Sequence, residues 1–179
     1  MNIFFLDKDP RLAAEYHCDK HVVKMILESA QLLSTAHRVL DGQMRITKSK
    51  SGRNVQRWSL DDERKNTIYG VTHVNHPSAI WCRVNIDHYR YLYDLFCYLL
   101  DEYTYRYGRV HKCDSMRMPL FACPNNIDYE ARWQDPPQAM PEDCKVVGDT
   151  VQAYRNYYIN HKARFAKWTK RTQPDWWKI

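Results

Sequence analysis

The chain has 179 residues, 44% hydrophobic and 13% aromatic, with 27 lysines and arginines against 21 acids for a net charge of +6. That length and apolar content give one domain, residues 1–179, with a real core, and exclude a disordered chain. No apolar run approaches the roughly eighteen residues that a membrane-spanning helix needs, so no membrane partner is expected.

The opening "MNIFFLDKDP" is too short and too acidic for a secretory signal, and six cysteines without a CxxC pair read as reduced thiols. A cytoplasmic protein is expected. Residues 2–6, "NIFFL", predict a short strand or an extended segment. The first helical block begins at "DP", where Asp9 can cap and Pro10 suits the first turn, and it runs to Leu40 before Asp41-Gly42 stops it. "QMRITKSKSGRNVQR" then reads as a polar, basic loop. A second block starts at "NHP", with Pro77 just inside, and ends at Gly108. A proline-containing stretch spans about residues 113 to 147, and a third block, aromatic and basic, runs from Thr150 to Thr172 before "QPDWWKI". The expected fold is mainly α: a single compact domain of three main helices with long loops.

Within the first block, His17, His21, Lys24, Glu28 and Gln31 step by 4, 3, 4 and 3, and Thr35 continues the line. At about 100° per residue they share one narrow stripe, with Val22, Ile26, Ala30 and Leu33 opposite. A thin polar stripe walled by apolar residues fits the floor of a cleft better than a face in open water. There Glu28 can act as an acid, Lys24 as a nucleophilic amine, and His17 and His21 as phosphate contacts or proton carriers. The alternative is an exposed stripe with a Lys24–Glu28 pair, contributing about 0.3–0.5 kcal/mol. HxxxH without HExxH is a weak metal signal. A zinc site from Cys113, Cys123, Cys144 and a histidine fits no standard spacing, so neither metal nor cofactor is expected.

Positive charge gathers in two segments. Residues 45–75 carry a surplus of four and residues 149–179 a surplus of five. Such segments point to a polyanion, DNA or a nucleotide. The candidate contacts are Lys48, Lys50 and Arg53 in the loop, Arg155, Lys162 and Lys167 in the third block, and Trp176 near the end. His73 and His76 precede the second block, where free N–H groups favour a phosphate. Tyr154, Tyr158, Phe165 and Trp168 read more readily as core than as base-stacking residues. Arg83, Asp87, Arg90 and Asp94 read as a solvated face of alternating charge.

Three stretches together resemble the pyrimidine-dimer DNA glycosylases, the small phage and viral repair enzymes of the endonuclease V type. "DKHVVKMILE" carries a histidine followed seven residues later by a glutamate, His21 and Glu28; "LLDEYTYRYG" resembles the family's charged helix ending; "QPDWWK" resembles its proline–tryptophan close. The opening also looks like that of small phage-encoded proteins. The resemblance implies a mainly helical protein that flips a nucleotide, attacks the sugar C1′ with an N-terminal α-amine, and uses the glutamate, here Glu28, to stabilise the imine. Asn2 after Met1 disfavours removal of the methionine, and Lys24 is the alternative amine. A non-catalytic phage protein that binds nucleic acid and acts on host or defence components, and a transferase that modifies DNA bases, are the alternative readings.

Overall fold

The computed structural model describes residues 1–178. Mainly α is the class observed, but three main helices is not. Among the described residues there are seven α-helices, three short 3-10 helices and one two-stranded sheet. The expected first block is two helices, α1 (Pro10–Tyr16) and α2 (Asp19–Asp41). Asp9 caps α1 through the N–H groups of Arg11 and Leu12, and Pro10 sits in its first turn. The break falls at His17 and Cys18, both with extended backbone. Arg106, whose side chain is fully buried, holds that break open. It donates to the carbonyls of Glu15 and His17 and to the carboxylates of Asp19 and Glu102, all at 2.8–3.1 Å.

The expected second block is also divided: α3 (Arg64–Thr67) is a single turn before it, then come α4 (Pro77–Val84) and α5 (Ile86–Tyr107). Asn85 separates the last two by capping α5 through the His88 N–H. Gly108 ends α5 in the left-handed region, as its position after the last apolar turn predicts. α6 is Arg117–Phe121 and α7 is Thr150–Lys162. The third block therefore stops ten residues before Thr172, with only a 3-10 turn at Ala163–Phe165 beyond it.

The basic loop is also not a loop. Residues Gln43–Lys48 (β1) and Asn54–Ser59 (β2) form an antiparallel hairpin, with Met44 opposite Trp58, Arg45 opposite Arg57 and Lys48 opposite Asn54. Gly52, at φ 78°, makes the turn that closes on Ser49. The signal lies in the apolar–polar alternation of "MRITK" and in the Ser51-Gly52 turn that follows; "NVQRW" carries no such alternation. The "NIFFL" segment is no strand. It enters the core through a tight turn, with Phe4 at φ 53° and the Leu6 N–H donating to Phe4 O at 2.8 Å, and Ile3, Phe4, Phe5 and Leu6 are all at most 3% exposed.

α2 and α5 form the centre, with α1 against α5 and α4 against α2. Val22, Ile26, Ala30 and Leu33 are buried, as expected, and so are Tyr154, Tyr158 and Trp168. The Phe4 ring lies against Tyr154, Tyr157 and Tyr158 of α7 and against His21. The C-terminal segment closes the α1–α2 break: Trp168 Nε1 donates to Tyr16 O, and Asp19 accepts from Thr169. Arg83 does not join a charged ladder but donates to Val74 O at 2.8 Å.

Candidate functional site around Glu28

The expected stripe is not one helical face: His17 lies at the extended break before α2, and the rest divides in two. His17 and His21 face inwards, at 0% and 5% exposure, whereas Lys24 faces outwards and Glu28 sits at the boundary. The division follows from what covers the start of α2. Phe4 from the N-terminal segment, Tyr158 from α7 and Phe165 beyond it enclose both imidazoles.

His17 Nδ1–H donates to Ala13 O (2.6 Å), and its buried Nε2 has no partner. Burial, before any other influence, pushes its pKa down to about 4. The Tyr158 hydroxyl accepts from Cys18 N–H and lies 2.6 Å from His21 Nδ1, so the hydroxyl donates to that nitrogen. Burial, with His17 and the cations Lys162 and Lys24 nearby, pushes His21 down to about 2. Both rings are neutral packing groups and neither reaches a phosphate.

Glu28 is placed differently. Its side chain is 12% exposed, and Oε2 accepts the Asn2 N–H at 2.8 Å. The Met1 α-amine lies 4.0 Å from the same oxygen, and Lys24 Nζ lies 3.3 Å from Oε1. Asn2 fixes this arrangement. Its side-chain amide donates to Ala139 O, and its side-chain oxygen accepts the Ile3 N–H, each at 2.8 Å. The first residues thus cross α2 one turn beyond Lys24, and two primary amines converge on one carboxylate. That meeting could not be read from spacing, because 26 residues separate Asn2 from Glu28.

His76 belongs to the same neighbourhood. Burial lowers its pKa, the Met1 α-amine and His73 lower it further, and Glu28 acts in the opposite sense. Its Nδ1 accepts the Ser78 N–H and so caps α4, which leaves Nε2 as the nitrogen carrying hydrogen. His73 is exposed, with φ at 49° and Nδ1 2.6 Å from Thr72 Oγ1. Thr35, the last residue of the stripe, holds this turn through both N–H and C=O of Thr72. Two amines thus meet one carboxylate, a surplus of positive charge that attracts an anion. Pro77, next to His76, borders a shallow apolar depression lined by Ile80, Trp81, Val84, His88 and Pro137.

The expected nucleic-acid contacts fall into two groups. Lys48, Lys50 and Arg53 are exposed on the hairpin, and Lys167 is exposed after α7. Arg155 and Lys162 are committed inside the molecule. Arg155 donates to Leu6 O and Asp7 and lies over the rings of Tyr16 and Trp176. Lys162 donates to the Tyr157 hydroxyl and lies 4.1 Å above that ring. Trp176 is half-buried against Tyr16 and Tyr158, with its indole N–H unpartnered.

One group with metal-type donors occurs among the described residues: Asp143, Cys144 and His161 bring a ligand atom each within 4.8 Å of one another. His161 Nε2 lies 2.8 Å from Asp143 Oδ2, and burial raises the Cys144 thiol pKa. Cys113 lies elsewhere, beside the Tyr69 hydroxyl. No protein-family model matches the chain, and no curated protein or solved structure is significantly similar to it.

Proposed function

We propose that the protein is a DNA- or nucleotide-directed enzyme that forms an imine between an amine beside Glu28 and the C1′ carbon of a sugar, in the manner of a glycosylase or lyase. The observation that carries this reading is the Met1 α-amine 4.0 Å from Glu28 Oε2, held there by the Asn2 N–H on the same oxygen. This amine–carboxylate pairing also supports the resemblance to the pyrimidine-dimer glycosylases, whose histidine–glutamate spacing the chain shares. An amine beside a carboxylate is the pairing that imine formation at a sugar carbon needs. Lys24 is the second amine; it is well solvated and serves the same carboxylate as a counter-charge.

In this mechanism the neutral amine attacks C1′, and the nitrogen–carbon bond forms as the bond from C1′ to the base breaks. On an abasic aldehyde the same attack gives a carbinolamine that loses water to become the imine. Glu28 accepts the proton released by nitrogen and returns it to O4′ as the C1′–O4′ bond opens, or to the departing hydroxyl of the carbinolamine, while an expelled base leaves with its bonding pair and takes a proton from water. The regenerated carboxylate then faces and stabilises the cationic imine. His73 and the Nε2–H of His76 hold a flanking phosphate. The apolar depression past Pro77 would accommodate a displaced base.

Borohydride reduction of the protein mixed with abasic and base-modified duplexes, read by intact and peptide mass spectrometry, tests this. A reduced adduct on Met1 is expected. It should disappear in Glu28→Gln, which is nearly isosteric, and when Gly-Ser is placed ahead of Met1. An adduct on Lys24 transfers the nucleophile to that residue. No adduct with any duplex removes the imine reading.

A further inference from the structure

We infer that the β1–β2 hairpin is a DNA-binding arm that enters the major groove of B-form duplex; the inference rests on the nucleic-acid reading above and gives it a substrate class. From Gln43 to Leu60 the chain carries Arg45, Lys48, Lys50, Arg53 and Arg57 and no acid. All five side chains are exposed, and none takes part in any ion pair among the described residues. The register sets Arg45 directly opposite Arg57 on one face. Like charges so placed destabilise a strand pair. With no counter-charge in the protein, the arrangement becomes favourable when an external polyanion supplies it.

The arm is also unusual in how little of it the rest of the molecule covers. Every residue of β1 is exposed, including Ile46 at 64% and Met44 at 48%. A two-stranded hairpin standing alone is marginal in water. This one is anchored only at its root. Leu60 is buried, and Arg38 donates to the carbonyls of Trp58, Lys65, Ile68 and Tyr69. Asp41 pairs with Arg64 and accepts from Asn125 and Asn126, fixing the end of α2 where β1 begins. The root is rigid and the blade is free, which suits an element that engages something outside the protein.

Shape names the duplex. Six residues of strand extend about 20 Å. Two strands about 4.8 Å apart, with side chains, match a B-form major groove about 12 Å wide and 8.5 Å deep. The A-form major groove is deep and too narrow to receive them. The face bearing Gln43, Arg45, Thr47 and Arg57 presents donors suited to base edges. Lys48, Lys50 and Arg53 surround the turn, where phosphates pass. From Glu28 to the root of the arm, α2 rises about 20 Å, so the gripped groove lies some six base pairs from the reacting sugar.

Fluorescence anisotropy of the full chain tests this with a 20-base-pair DNA duplex, the same sequence as duplex RNA, and single-stranded DNA, between 50 and 200 mM salt. DNA duplex should bind at least tenfold tighter than duplex RNA. Arg45→Gln with Arg57→Gln should remove that preference by weakening DNA binding about tenfold, without lowering the melting temperature, because the opposed charges do not hold the fold. Lys48→Gln with Lys50→Gln and Arg53→Gln should reduce the log–log salt slope by about 2–3, near 0.9 for each phosphate no longer neutralised. Equal affinity for the two duplexes overturns the groove assignment. So does unchanged DNA affinity in the Arg45/Arg57 variant, and if that variant still gives the borohydride adduct, the catalytic reading stands without the arm. Absence of DNA binding at 50 mM salt overturns both.

Discussion

Acid should unfold this protein through histidines that the fold keeps neutral. His17 and His37 are pushed down to about 4 and His21 to about 2, all chiefly by burial. The surroundings of His37 show why charging is excluded. The Tyr89 hydroxyl donates to Leu120 O and accepts from His37 Nε2, so His37 Nδ1 is the bare nitrogen, and it accepts from Arg64 at 2.8 Å. Protonation there would face a guanidinium. A base whose folded pKa lies below its unfolded value near 6.5 binds more protons unfolded than folded, so stability is complete above that pH and falls with acid. The loss continues until each folded value is reached. At pH 5 each of the three contributes a loss of about 2 kcal/mol, about 6 kcal/mol together, comparable with the whole stability of a domain at about 5–15 kcal/mol. Asp41, held below its ordinary value by Arg64 and two backbone N–H groups, loses its contribution only below about pH 3.8 and is silent in this window. Urea midpoints at pH 7.5, 6.0 and 5.0 measure the effect. His37→Gln keeps a donor and an acceptor in place and should flatten the dependence by about one third. Equal stability at pH 7.5 and 5.0 would refute the burial argument.

Two further substitutions follow from the same geometry. Arg106→Ala leaves the carbonyls of Glu15 and His17 without their donor, while Glu102 keeps Arg171, and should cost about 2–4 kcal/mol in urea unfolding, from about 1–3 kcal/mol for each buried acceptor left bare. Asn2→Ala keeps the backbone N–H on Glu28 but removes the side-chain bonds to Ala139 and Ile3 that seat the first residues; adduct yield should fall severalfold while the melting temperature drops by only a few degrees, about 1 kcal/mol for a bond of this kind.

Local chemistry made the punctuation of the chain readable. Asp9-Pro10, Asp41-Gly42, Pro77 and Gly108 mark element ends because caps and backbone preferences act within a few residues. The breaks at Cys18 and Asn85 were not readable. The first depends on Arg106, far along the chain, and the second on an asparagine within an unbroken apolar rhythm. Periodicity grouped His21, Lys24 and Glu28 on one side of α2, but it ran the helix through His17, which lies at the extended break before α2, and it could not foresee that Phe4 and Tyr158 would enclose both histidines. The hairpin was read as a loop because its lysines and arginines give it a loop's composition and only its first strand alternates apolar and polar residues.

The deep seat of residues Ile3–Leu6 has a consequence for synthesis. Part of their cover is α7: Phe4 meets Tyr154 about 150 residues later in the chain, whereas Phe5 meets Tyr91 and Trp133 earlier. At roughly 5–20 residues per second, the ribosome needs about 8–30 s to deliver that helix. Throughout that interval Phe4 has emerged without Tyr154, Tyr157 and Tyr158, the α7 rings that enclose it. The core therefore closes late, around its earliest residues, and a ribosome stalled before α7 would release a chain whose Phe4 lacks that cover.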